Sequence, residues 1–257
     1  MNSTTRGARD ALTCATNALL AVVLAPVCAA CARVLEHPLD GPVCPACWAS
    51  IGPLTSRRFE TRLIAIGRSA GDYDGALKEI IHAYKYEGRR SLARPLGALM
   101  REAGRDLLDG ASCAVPVPLH PWRRMQRGFN QAADLAAGLN VPVMHALWRR
   151  RITPPQTGLT GAARRRNVRG AFRVSPLVSH STIRSLILTR VVVLVDDVTT
   201  TGATLDACAR VLKDAGASEV RALTAARAEP PRRTAPASAT GFGEAGLTRA
   251  ILNDGHS

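Results

Sequence analysis

The sequence predicts an α/β fold, a parallel sheet flanked by helices, with an N-terminal four-cysteine module and a disordered C-terminal tail. Three observations carry this. Apolar runs of strand length alternate with amphipathic helical stretches between residues 62 and 225, the pattern of β-α-β units. Two Cys-x-x-Cys pairs lie within the first fifty residues. From Glu229 onward the composition turns to Pro, Ala, Ser, Thr and Gly, which cannot bury enough apolar surface to order itself. At 257 residues the chain can hold a full core and a small appended module. The expected division is 1–57, an N-terminal helix and metal module; 58–228, the α/β domain; and 229–257, the tail.

Taken in order, Arg6 and Arg9 precede an apolar stretch over 11–27, interrupted by Thr13, Thr16 and Asn17. Cleavage of a secretory signal near Ala29 would break the first cysteine pair, and the stretch is too short and polar for a membrane span. The reading is a helix packed on the module, in a reducing cytoplasm, with no stable membrane span. Cys28, Cys31, Cys44 and Cys47 form two knuckles separated by twelve residues. That spacing can bring four thiolates around one tetrahedral, structural Zn²⁺, against the alternative of a redox pair. Pro38, Asp40, Gly41 and Pro42 suit a reversing loop between the knuckles, and Cys14, Cys113 and Cys208 read as core residues. A strand follows over 62–70. Leu77, Ile80, Ile81 and Tyr84 recur at helical spacing from Asp74 to a stop at Gly88, and Leu92, Leu96, Leu99 and Met100 repeat the period. A strand over 113–119 is broken by Pro116 and Pro118 and gives way to a proline-bounded turn. Asn130 is the N-cap of a helix running to Gly138. An arginine-rich segment leads to a strand over 191–195, then a helix with Leu205, Cys208, Ala209 and Leu212, stopped by Gly216, and a last strand over 220–225.

The strand over 191–195 is suited to burial on both faces, and Asp196 and Asp197 stand where it ends. Beyond the carboxyl ends of parallel strands lies the usual ligand crevice of open α/β sheets. Thr200, Thr201, Gly202, Ala203 and Thr204 then form a turn into a helix, whose N-terminal N–H groups and hydroxyls are donors to a phosphate. The acids suit ribose hydroxyls and a hydrated Mg²⁺. Together these describe a site for a ribose 5-phosphate. A Walker B strand is the rival, but it needs a Gly-Lys loop upstream and the chain has no Gly-Lys pair. Lys85 at a helix end, with Arg123, Arg124 and Arg127 after the proline turn, offers cations for a pyrophosphate, and His120 is a proton donor or a structural residue. Arg164 lies in a loop rich in Pro, Gly and Arg that can close over a reacting centre, or it belongs to a solvated basic face. The net charge of +14, from 34 Lys and Arg against 20 Asp and Glu, favours anionic partners.

The motifs Val115-Pro-Val-Pro118, Arg127-Gly-Phe-Asn-Gln131, Thr153-Pro-Pro-Gln156, Asn167-Val-Arg-Gly-Ala-Phe172 and Val195-Asp-Asp-Val198 through Thr204, with the two knuckles, resemble the ComF (GntX) family. The resemblance covers residues 20 to about 228. It implies a type I phosphoribosyltransferase fold with a small hood, a Mg²⁺-dependent site for 5-phosphoribosyl 1-pyrophosphate (PRPP), and a link to competence, DNA uptake or nucleotide metabolism. Single-stranded DNA and a DNA-uptake helicase or recombination protein are the implied partners. The competing reading is a catalytically silent protein that binds DNA or senses PRPP. Many base-salvage relatives place an acid where this chain has Thr200, so the acceptor stays open.

Overall fold

The computed structural model describes residues 26–51, 57–150 and 170–228, together with Thr13, Thr16 and Asn17. Most of the expected N-terminal helix, the loop that carries Arg164 and the C-terminal tail lie outside the described residues, as does the side chain of Arg123. Proline at its first position starts α1 (Pro45–Ser50) inside the second knuckle. There follow β1 (Arg57–Phe59), β2 (Gly67–Asp72), α2 (Gly75–Tyr86), α3 (Ala93–Ala103), α4 (Arg105–Leu108), β3 (Cys113–Pro116), α5 (Pro121–Arg127) and α6 (Gln131–Ala137). Next come β4 (Leu147–Arg149), β5 (Phe172–Val174), α7 (His180–Leu186), β6 (Val191–Thr199), α8 (Ala203–Asp214) and β7 (Glu219–Arg227).

The main sheet runs β1-β2-β7-β6-β3. β2, β7, β6 and β3 are parallel, and β1 closes one edge antiparallel. Because side chains alternate along a strand, each face of the sheet is apolar and each is covered. Val193, Val195, Leu223 and Ala225 belong to one cluster with Ile80, Tyr84, Met100 and Leu135 from α2, α3 and α6. Val192, Leu194, Val220 and Ala222 belong to the other, with Leu205, Cys208 and Leu212 of α8. Cys28, Leu35 and Val43 join the first cluster, so the cysteine module packs on the α2 side of the sheet. β4 and β5 form a separate antiparallel hairpin whose Leu147 and Phe172 pack in the second cluster.

Several elements differ from expectation. The strand expected over 62–70 begins only at Gly67. Residues 61–64 instead turn, with Asp206 of α8 accepting hydrogen bonds from Thr61 Oγ1 and the Leu63 N–H. The proline-bounded stretch after β3 is the helix α5. The strand expected over 191–195 continues through Thr199, pairing residue for residue with β7 as far as Thr199 opposite Arg227. Asp196 and Asp197 are therefore the sixth and seventh residues of a nine-residue strand.

Candidate active-site cleft and metal centre

A cleft of about 910 Å³ opens at the C-terminal ends of β3 and β6. Its floor is the end of β6 and the turn into α8. Its walls come from the end of α2, the segment after β3, the start of α6 and Arg149 of the hairpin. Lys85, Arg127, Asp196, Asp197, Thr200, Thr201, Gly202, Ala203 and Thr204, all singled out from sequence, line it together.

Adjacent residues on a strand face opposite ways, and this separates the two acids. Asp197 faces the α2 side and accepts an ion pair from Lys85 Nζ at 2.8 Å, with both side chains nearly covered. Asp196 faces the α8 side. Burial there, then the neighbouring Asp197 charge, pushes its carboxyl up to about 7, against the opposing pull of Lys85, the Asp197 N–H and Arg149. Its Oδ1 accepts the Asp197 N–H at 2.9 Å. The floor of the cleft thus holds one carboxylate paired with Lys85 and one acid poised near neutrality.

Above them the chain turns at Gly202, whose φ of +72° is in the left-handed region and which is the N-cap of α8. A Cβ at this position would meet Thr61 Cγ2 at 2.5 Å, so both the conformation and the space demand glycine. The turn presents backbone donors and threonine hydroxyls to the cleft at the start of a twelve-residue helix, an arrangement that receives a phosphate. On the opposite wall Arg127 Nη1 donates to Gln131 Oε1 at 3.1 Å and lies over the Tyr86 ring.

The remaining basic candidates sit elsewhere. His120 is the N-cap of α5, its Nδ1 accepting the Trp122 N–H at 3.2 Å, and it does not line the cleft. Arg124 is exposed on α5 outside the lining. Two residues of the cleft escaped the sequence reading. Gln131 is 1% exposed and braces Arg127; its position inside the Arg-Gly-Phe-Asn-Gln motif was a signal. Arg149 is 8% exposed, lies over Phe172 and reaches the cleft. Its signal was alternation: it shares a strand face with apolar Leu147 inside an arginine run.

The four sulfurs of Cys28, Cys31, Cys44 and Cys47 lie within 4.8 Å of one another. Sulfurs at the corners of a tetrahedron about 2.3 Å from a central zinc are about 3.8 Å apart, and Cys31 Sγ and Cys44 Sγ are 3.8 Å apart. The Cys28 sulfur accepts the Ala30 and Cys44 N–H groups at 3.4 and 3.3 Å. Although burial opposes ionisation, backbone N–H groups from Cys44, Cys31 and Ala30 hold the Cys28 thiol down to about 6. Burial, and then the neighbouring cysteines, push Cys47 up. A thiolate is favoured at Cys28 and resisted at Cys47 beside it, and the four sulfurs form a cluster that can hold a metal such as zinc.

The description "Phosphoribosyl transferase domain" matches residues 125–240. The chain is 33% identical to Competence protein F of Haemophilus influenzae over 168 residues, covering 62% of this chain and 71% of that protein. It is 30% identical to DNA utilization protein YhgH of Escherichia coli K12 over 220 residues, 76% of this chain and 87% of that one. The chain belongs to the ComF family. A further relative, Competence protein ComFC of Streptococcus pneumoniae, is 27% identical over 160 residues, 62% of this chain and 67% of its own length. Both acids and the Thr200–Thr204 turn of this ComF-family chain fall within the segment matched to the phosphoribosyltransferase domain, while Lys85 and the residues after β3 reach the cleft from before it. Among the described residues no helix is long and apolar enough to cross a membrane.

Proposed function

We propose that this ComF-family protein binds PRPP in a Mg²⁺-dependent manner in the β6 cleft and transfers its ribose 5-phosphate to an acceptor, serving DNA uptake or the nucleotide metabolism attached to it. The observation that supports the reading is the order of groups along the cleft: acids on the strand end, a glycine turn and helix N-terminus beyond them, and cations opposite. The 5-phosphate belongs on the Thr200–Thr204 turn, where N–H groups and hydroxyls converge. The ribose hydroxyls belong on Asp196 and Asp197. Lys85, Arg127 and Arg149 supply positive charge toward the pyrophosphate side. Mg²⁺, when bound with PRPP, would neutralise the pyrophosphate and make it a better leaving group.

Loss of pyrophosphate leaves positive charge on the ribose ring, and carboxylates already fixed beside it lower that barrier. The bond from C1 to the pyrophosphate oxygen breaks, the acceptor nitrogen forms the new bond to C1, and its proton leaves to solvent or a nearby base. Asp196, poised near neutrality, stands within the cleft to exchange such a proton. The four-cysteine cluster is read as a structural zinc site holding the N-terminal module on α2. The competence and DNA-utilization names of the relatives support a role in DNA uptake or use.

The deciding experiment is calorimetric titration of the protein with PRPP, with and without Mg²⁺. Saturable, Mg²⁺-dependent binding, weakened tenfold or more by the Asp196→Asn, Asp197→Asn double variant, is the expected result. Binding that ignores the double substitution would remove the assignment of the acids.

A further inference from the structure

A second groove, of about 1000 Å³, runs along α8 and the β5 strand of the hairpin. Arg62, Arg173 and Arg210 line it, all exposed. In the hairpin, Trp148 pairs directly with Arg173. Opposed residues of an antiparallel pair share a face, and the face that carries Arg149 and Phe172 is turned inward. Trp148, 43% exposed, and Arg173 therefore stand together on the outward face. Arg150 follows Trp148 at the exposed end of the strand. The guanidinium groups of Arg62, Arg150, Arg173 and Arg210 make no ion pair or hydrogen bond among the described residues. Two acids also line the groove. Asp206 is turned to Thr61 and Leu63, which leaves Asp214 as the one exposed opposing charge.

Among the described residues, nothing covers this indole and nothing pairs the arginines beside it. A flat aromatic face flanked by cations matches one polymer well: unstacked bases joined by phosphates. A duplex keeps its bases stacked inside and offers nothing to the indole. An acidic polypeptide would satisfy the arginines and leave Trp148 without a role.

We propose that the outward face of the β4–β5 hairpin and the adjoining α8 groove bind single-stranded DNA, with a base stacked on Trp148 and phosphates held by Arg150, Arg173, Arg62 and Arg210. This rests on the DNA-handling part of the function proposed above and gives it a surface of its own. Ala203 is the only described residue that lines both this groove and the PRPP cleft, so the two ligands bind without competing.

The test is fluorescence anisotropy of a labelled oligothymidylate with the full-length protein at low and moderate salt. Trp148→Ala is expected to weaken binding about tenfold or more and Trp148→Phe to restore most of it. Arg173→Glu with Arg210→Glu should weaken binding further and flatten its salt dependence. Arg124→Glu, on α5, should change little, and PRPP titrations of the Trp148 variants should match wild type, which also reports that they fold. Absence of any oligothymidylate binding by wild type at low salt overturns both this surface and the DNA reading. Wild-type binding that Trp148→Ala and the double arginine variant leave unchanged overturns the surface alone. Displacement by polyglutamate as effective as by unlabelled oligothymidylate would show a generic acidic-polymer surface and overturn the proposal.

Discussion

Two regions of this molecule gather groups that would carry negative charge, and they deal with the repulsion in opposite ways. In the N-terminal module four thiols converge within 4.8 Å. At the end of β6 two carboxylates, neighbours in the chain, diverge to opposite faces of the strand. Convergence concentrates like charge until a cation must share the site, and only one thiol is lowered while another is raised. Divergence lets each acid find its own answer: Lys85 for Asp197, and a proton retained by burial for Asp196. A turn brings chain-distant residues to one point, while a strand sends adjacent residues apart. Charge clusters at turns therefore call for metals, and charge pairs on strands become functionally unequal.

The sharpest way to break this comparison is to remove the cation that convergence requires. Structural zinc contributes on the order of 10 kcal/mol to small metal-stabilised modules. Purified protein is expected to carry about one zinc per four-cysteine site. Strong chelation, or Cys44→Ser, should abolish ordering of residues 26–51, seen as lost amide protection and loss of the fluorescence of packed Trp48. Metal-free protein with the module fully protected would show that the thiols tolerate convergence unaided.

The second test concerns the face of β6 that solves its charge with a partner. Lys85 and Asp197 are nearly covered and 2.8 Å apart. Removing one member of such a pair leaves an uncompensated buried charge and costs about 3 kcal/mol. Lys85→Ala should therefore lower stability by that order in urea unfolding, while adding Asp197→Asn to it should recover most of the loss. Equal, additive losses from the two substitutions would mean that the pair does not act as a unit.

How much of this was legible before the coordinates depends on the range over which each feature is encoded. The helices α2, α3, α6 and α8 were readable because their apolar spacing, the Asn130 start and the Gly88 and Gly216 stops are local. The cysteine set was readable because its spacing is short. The β4–β5 hairpin was not, as its strands are three residues long and show no clear period, and so Arg149 was missed. α5 was read as a turn although proline at its start and a preceding His120 cap are helix-start features. The bracing of the Gly202 turn by Thr61 and Asp206 joins residues 145 apart in sequence, beyond any local signal. The acids were recognised as a pair, but their separation onto two faces followed from the strand running four residues further than its apolar core.

The smallest expected effect sharpens the comparison on the other face, where burial outweighs the pull of Lys85 and Arg149 and the acid keeps its proton. Asp196 holds its proton up to about 7 in the folded chain, against an ordinary value of 3.8. Between about pH 4 and 7 the folded chain therefore binds a proton that the unfolded chain has released. Stability from this group is fully present below pH 4, declines as pH rises through the window and is lost above 7. The full gap corresponds to about 4 kcal/mol at 1.4 kcal/mol per unit, and water at the rim of the cleft should reduce what is observed to about 2 kcal/mol. Asp196→Asn keeps the shape of the protonated acid and cannot ionise. The variant should match wild type at pH 4 and exceed it by that amount at pH 8. Other titrating groups shift both curves alike, so the difference between the two unfolding curves isolates Asp196. Parallel curves from pH 4 to 8 would mean that Asp196 is ionised in the folded chain, and that both acids on β6 carry charge after all.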